Sequence, residues 1–151
     1  EAAADYRFLK DNGYRTPAIY GGLAATCLQN GQKDEAGRVI GKMLKEFPNE
    51  LSPLLIAGSA YLENNDFPEA EKYFLNAAKI QPDNFCILFR LARIYTRERK
   101  YSRAGRIYRN ALGKCDWPFW QHNLRRRLIH LYDDVGRLNE LARIYEARIN
   151  D

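Results

Sequence analysis

The chain has 151 residues, 46% of them hydrophobic and 28% charged, which fits one globular domain and excludes the disordered and collagen-like classes. Its longest apolar stretch, residues 51–62 (LSPLLIAGSAYL), falls short of the ~20 residues that a membrane span needs, so no membrane insertion by this region is expected. The net charge of +5 is uneven: residues 1–89 hold 9 basic and 12 acidic side chains, whereas residues 90–151 hold 15 basic, thirteen of them arginine, and 7 acidic.

Taken in chain order, residues 1–12 read as one helix with Ala2, Ala4, Phe8 and Leu9 apolar. The chain opens EAAAD without a methionine, so a segment of a longer protein is expected, with this helix the second half of a preceding hairpin. Three hairpins follow over residues 17–50, 51–84 and 85–118. Their helices are separated by Asn30-Gly31, Asn64-Asn65-Asp66 and Glu98-Arg99-Lys100. Pro48-Asn49 and Pro82-Asp83 end the second helices of the first two. Asp66-Phe67-Pro68-Glu69 has the form of a helix cap with proline in the first turn and an acid behind it.

A divergent fourth hairpin spans 122–151, where Leu128, Tyr132, Gly136, Leu141 and Tyr145 come into phase once three residues are inserted before them. The insertion falls in 115–120 and lengthens the next helix at its start. The slots that are small elsewhere hold Ile129 and Leu141. The expected architecture is all-α: one leading helix plus four hairpins, nine helices in total.

The hairpins repeat at a 34-residue step. First-helix slots align as Tyr20/Leu54/Leu88, Leu23/Ala57/Leu91, Ala24/Gly58/Ala92 and Cys27/Tyr61/Tyr95. Second-helix slots align as Ala36/Ala70/Ala104, Ile40/Phe74/Tyr108 and Met43/Ala77/Ala111. Small residues at facing slots let two helices approach closely, and the large ones fill the space between hairpins, so stacking completes a core that one hairpin lacks. This pattern resembles the tetratricopeptide repeat family, most fully in the middle unit at Gly58, Tyr61, Ala70, Phe74, Ala77 and Pro82. The family's first-slot tryptophan is absent. The resemblance implies a helical-hairpin solenoid, a right-handed superhelix whose first helices line a concave groove for protein segments.

Little in the sequence points to chemistry. His122 and His130 are the two histidines, with no nucleophile placed beside them and poor metal spacing. There is no phosphate-binding glycine motif and no HExxH. No catalytic residue, cofactor or metal is assigned. The three cysteines, Cys27, Cys86 and Cys115, form no CxxC pair. They suit a reducing compartment such as the cytoplasm, with the periplasm as the open alternative.

Carried onto this chain, the family's groove positions include Leu55, Ser59 and Leu62 in the second unit and Phe89, Arg93 and Arg97 in the third, with Arg90 beside them. In the fourth unit they include Arg126 and His130, with Arg127 adjacent. The resemblance also implies what is missing: Ala25 and Ser59 stand where chaperone-tail readers carry asparagines, and Gly21 where they carry a lysine. The groove is thus apolar and small at its front and basic at its back, which suits a partner segment with acidic residues. Arginine-rich surfaces also suit nucleic acid or an acidic polysaccharide, and a third reading is an architectural spacer in a longer solenoid. Trp117 and Trp120 either pack the enlarged junction or offer a second contact, self-association included.

Overall fold

The computed structural model describes residues 4, 8 and 11–149, with side chains described as far as residue 144. The described residues are helical throughout, without strands. Eight helices are bounded: α1 (Pro17–Gln29), α2 (Lys33–Glu46), α3 (Leu51–Glu63), α4 (Phe67–Ile80), α5 (Phe85–Arg97), α6 (Tyr101–Gly113), α7 (Pro118–Asp134) and α8 (Leu138–Ile149). The leading helix expected over 1–12 lies largely outside the described residues, as does the Tyr145 side chain. The chain divides into two compact units, Glu1–Pro82 and Asp83–Asp151.

The turn inside every hairpin is built the same way. Gly31, Asn65, Arg99 and Gly136 adopt left-handed φ values of 76°, 58°, 59° and 66°. At each turn two backbone N–H groups reach back to the ending helix. Gly31 donates to Leu28 O and Gln32 to Cys27 O, at 3.0 and 2.8 Å, and Arg99 to Thr96 O and Lys100 to Tyr95 O, at 3.1 and 2.8 Å. These paired bonds satisfy carbonyls that a helix end otherwise leaves orphaned. The left-handed residues follow one another by 34, 34 and 37 positions, which places the three-residue insertion between the third and fourth turns.

In the first unit α1 packs on α2 and α3, and α3 on α4. Ala24, Ala36, Ala57 and Ala70 are fully buried, as are Ile40, Met43 and Phe74. Gly58 faces the Phe74 ring so closely that a Cβ there would stand 2.9 Å from it. Gly21 likewise leaves no room for a Cβ, because the Ile56 side chain of α3 is seated directly on it. Asp66 does not cap α4 with its side chain. Its carboxylate instead accepts from Lys33 Nζ at 2.8 Å, tying the first hairpin to the second.

In the second unit α5 packs on α6, α6 on α7, and α7 on α8. Gly105 of α6 admits α7 closely, since a Cβ would stand 3.3 Å from Leu131 and 3.4 Å from Tyr132. α7 runs 17 residues against 13 for α5. Its start is pinned to the preceding loop by Gln121 Nε2, which donates to Cys115 O at 2.7 Å. Ile129, aligned with the buried Ala24, Gly58 and Ala92, is instead 48% exposed. Leu141, aligned with the invariably small Ala36, Ala70 and Ala104, is buried.

Candidate functional site

In the first unit, Leu55 and Ser59 of α3 are half-buried. The Ser59 hydroxyl donates to Leu55 O at 2.7 Å, closing on its own helix. Leu62, expected to line the groove, is 8% exposed and belongs to the core, which leaves a partner little of it to touch.

The second unit gathers its candidates around one ring. Phe89 of α5 lies edge-on to Tyr108 of α6 and Trp120 of α7, with centroids 6.1 and 5.6 Å away. Trp120 also meets Phe85 at 6.0 Å. The Arg127 and Arg93 guanidiniums stand over the Phe89 ring at 5.2 and 5.9 Å from its centroid. A cation over an aromatic face is attracted by the ring's quadrupole, and the attraction fixes its position without removing its charge.

The electrostatics follow from that crowding. Burial, then the charges of Arg127, Arg90 and Arg97, pull the Arg93 guanidinium below its ordinary range, with Tyr108 acting in the opposite sense. Burial pushes the Tyr108 phenol up, while hydrogen bonds with Thr96 and Arg127 and the nearby guanidiniums draw it back. Among the described residues no carboxylate lies within 4.0 Å of Arg93, Arg97, Arg126 or Arg127. A half-buried guanidinium among like charges, without a carboxylate beside it, favours an incoming anion.

The arginines of α7 divide. Arg127 joins Arg93, whereas Arg126 sits about 100° further round the helix and is not among the charges that act on Arg93. Arg126, Arg127 and His130 are all exposed, so contact with Phe89 rather than burial distinguishes Arg127. The tryptophans divide as well: Trp120 packs the junction, and Trp117 is 68% exposed beside Phe119 at 71%. Tyr108, which core periodicity reads only as filling, is buried yet lies within electrostatic reach of the Arg127 and Arg93 guanidiniums. Among the described residues no group of three His, Cys, Asp or Glu could hold a metal ion, and no helix is long and apolar enough to cross a membrane.

A tetratricopeptide repeat family model matches residues 57–117. No curated protein matches the chain. Among solved structures, MamA AMB-1 is similar at 18% identity over 96% of this chain and 88% of its own, with a TM-score of 0.67. MamA MSR-1 is similar at 17% identity over 92% and 78%, with a TM-score of 0.65. The human IFIT1 dimer with PPP-AAAA is similar at 16% over 87% of this chain and 31% of its own, with a TM-score of 0.63. At these identities the likeness is one of fold. Repeat register, matching turns and the family match agree on tetratricopeptide repeats over residues 57–117, and the likeness of fold extends over most of the chain.

Proposed function

We propose that the chain is a non-catalytic adaptor or scaffold that binds an acidic protein segment, with the α5/α7 face of residues 83–151 as its basic contact. The observation that carries this reading is the pair Arg93 and Arg127 on the Phe89 ring, held in place by aromatic contact and left without a carboxylate among the described residues. A carboxylate entering there meets two rigid donor forks and relieves the repulsion that depresses Arg93. Arg90 and Arg97 extend the positive face. Leu55 and Ser59 are the groove positions of the first unit, offered for an apolar contact of that unit's own. Trp117 with Phe119 is the second contact, for a partner or for another copy of the chain. The buried positions of Cys27 and Cys115 suit a reducing compartment such as the cytoplasm.

Selection from a random peptide display library tests this directly. Enriched sequences are expected to carry Asp or Glu pairs, and their binding to fall about tenfold or more in Arg93→Gln and Arg127→Gln. Enrichment without acidic residues, or binding indifferent to both changes, would refute the reading. The second reading, a nucleic acid or acidic polysaccharide ligand, draws on the thirteen arginines after residue 89. It predicts that heparin or an oligonucleotide binds better than any selected peptide, with the steep salt dependence of phosphate contacts.

A further inference from the structure

A cleft of about 640 Å³ opens in the second unit between the α5–α6 turn and the α7–α8 turn. It lies at the hairpin tips, apart from the Phe89 cluster. Five of its lining residues are cations (Arg99, Lys100, Arg103, Arg109 and Arg137) and one, Glu140, is a carboxylate. Glu140 is engaged by Arg137, and Lys100 pairs with Glu98 at 3.0 Å.

The other three arginines are positioned differently. Arg103 stacks on the Tyr95 ring at 4.0 Å. Arg109 donates to the Tyr132 hydroxyl, and Tyr132 is seated by the close α6–α7 approach at Gly105. Arg99 occupies the left-handed position, φ 59°, that the equivalent turns fill with Gly31, Asn65 and Gly136. A long side chain is disfavoured there, so the turn keeps a cation at a conformational cost that glycine would spare. Among the described residues no carboxylate lies within 4.0 Å of Arg99 or Arg109.

We propose that this cleft binds a compact polyanion with closely spaced phosphoryl groups. Pre-set guanidinium forks match phosphate oxygens two at a time, and the volume lies within the ~300–1,000 Å³ of ordinary small-ligand sites. The start of α6 opens into the same cleft at Tyr101 and Ser102 without a side-chain cap, which adds outward-pointing N–H groups to the cations.

The probe is inorganic tripolyphosphate, titrated calorimetrically into the full chain at fixed ionic strength, with sulfate as the control anion. One saturable site per chain is expected, with sulfate at least about tenfold weaker. Arg99→Gly separates charge from fold, because glycine fits φ 59° without strain: it is expected to raise the melting temperature and weaken tripolyphosphate about tenfold. Arg109→Gln is expected to weaken it similarly, with the helical circular dichroism retained. Arg93→Gln and Arg127→Gln are expected to change nothing at this site. ATP binding as tightly as tripolyphosphate would place the recognised phosphates on a nucleotide, and ATP binding about tenfold weaker would place them on a free chain; both support the cleft as the site. Absence of saturable binding, or equal weakening by Arg99→Gly and Arg127→Gln, would overturn the proposal, since either reduces the cleft to diffuse surface charge.

Discussion

Residues 1–82 and 83–151 build the same repeat but handle charge in different ways. In the first unit, basic side chains meet carboxylates: Lys33 with Asp66 at 2.8 Å, Arg38 with Glu35 at 2.6 Å, Lys72 with Glu69 at 3.0 Å. The first unit also sets Lys72 over Tyr73 at 5.5 Å, whereas the second, which has ion pairs too, sets Arg93 and Arg127 over Phe89 with no carboxylate within 4.0 Å among the described residues. A carboxylate fixes a cation and cancels it, whereas an aromatic ring fixes it and leaves it charged. The packing differs in parallel. The first unit brings α1 and α3 together over Gly21, and the second places Phe85, Phe89 and Trp120 at the α5–α7 contact. The same fold is a compact stack in one place and an aromatic platform for arginines in the other.

The largest effect that would break this comparison lies at the glycines. Gly58→Ala drives a Cβ into the fully buried Phe74 ring and is expected to cost about 1–3 kcal/mol. Gly105→Ala meets Leu131 and Tyr132 at 3.3–3.5 Å and needs a shift of only tenths of an ångström, so its cost is expected to be clearly smaller. Urea denaturation of the two variants decides it, and equal losses would mean that the first unit is not the tighter one.

Alkaline pH comes next. Burial raises the phenols of Tyr20, Tyr61, Tyr73 and Tyr108 above their ordinary 10.0. An unfolded chain therefore gives up these protons first, and stability complete below pH 10 is lost as pH rises through the folded-state values. Tyr61→Phe and Tyr108→Phe are each expected to remove part of the alkaline loss, since burial is the leading cause at both. Melting temperatures between neutral pH and pH 11 give the comparison.

The smallest effect is the most telling in sign. Lys33→Gln breaks an exposed pair with Asp66 and is expected to cost up to about 1 kcal/mol, less in high salt. Arg127→Gln removes a like charge beside Arg93 and is expected to cost nothing or to stabilise by a few tenths of a kcal/mol, set against the lost contact with Phe89. A clear loss of stability in Arg127→Gln would show that Arg127 is structural.

Much of the fold is legible in the residues, because a 34-residue step lays Ala36, Ala70 and Ala104 in one buried column. Turn chemistry is legible for the same reason, down to the place where glycine gives way to Arg99. The site is less so. Leu62 aligns with groove positions, yet local packing closes over it. The run Arg125-Arg126-Arg127 looks uniform in one dimension, but about 100° per residue separates Arg127 from Arg126. Asp66 looks like a cap until Lys33, 33 positions away, takes its carboxylate. Nothing local in the sequence sets Phe89 beneath two guanidiniums, since that depends on how the three-residue insertion carries Trp120 and Arg127 onto α5.

The most direct test of the central claim follows the arginine Nε–Hε and Phe89 ring resonances during titration with an acidic peptide such as hexaglutamate. Arg93, Arg127 and Phe89 are expected to move together, along one saturation curve, while Arg38 and Arg15 stay still. Shifts confined to other arginines, or none at peptide saturation, would contradict the claim that the platform on Phe89 is where an acidic segment binds.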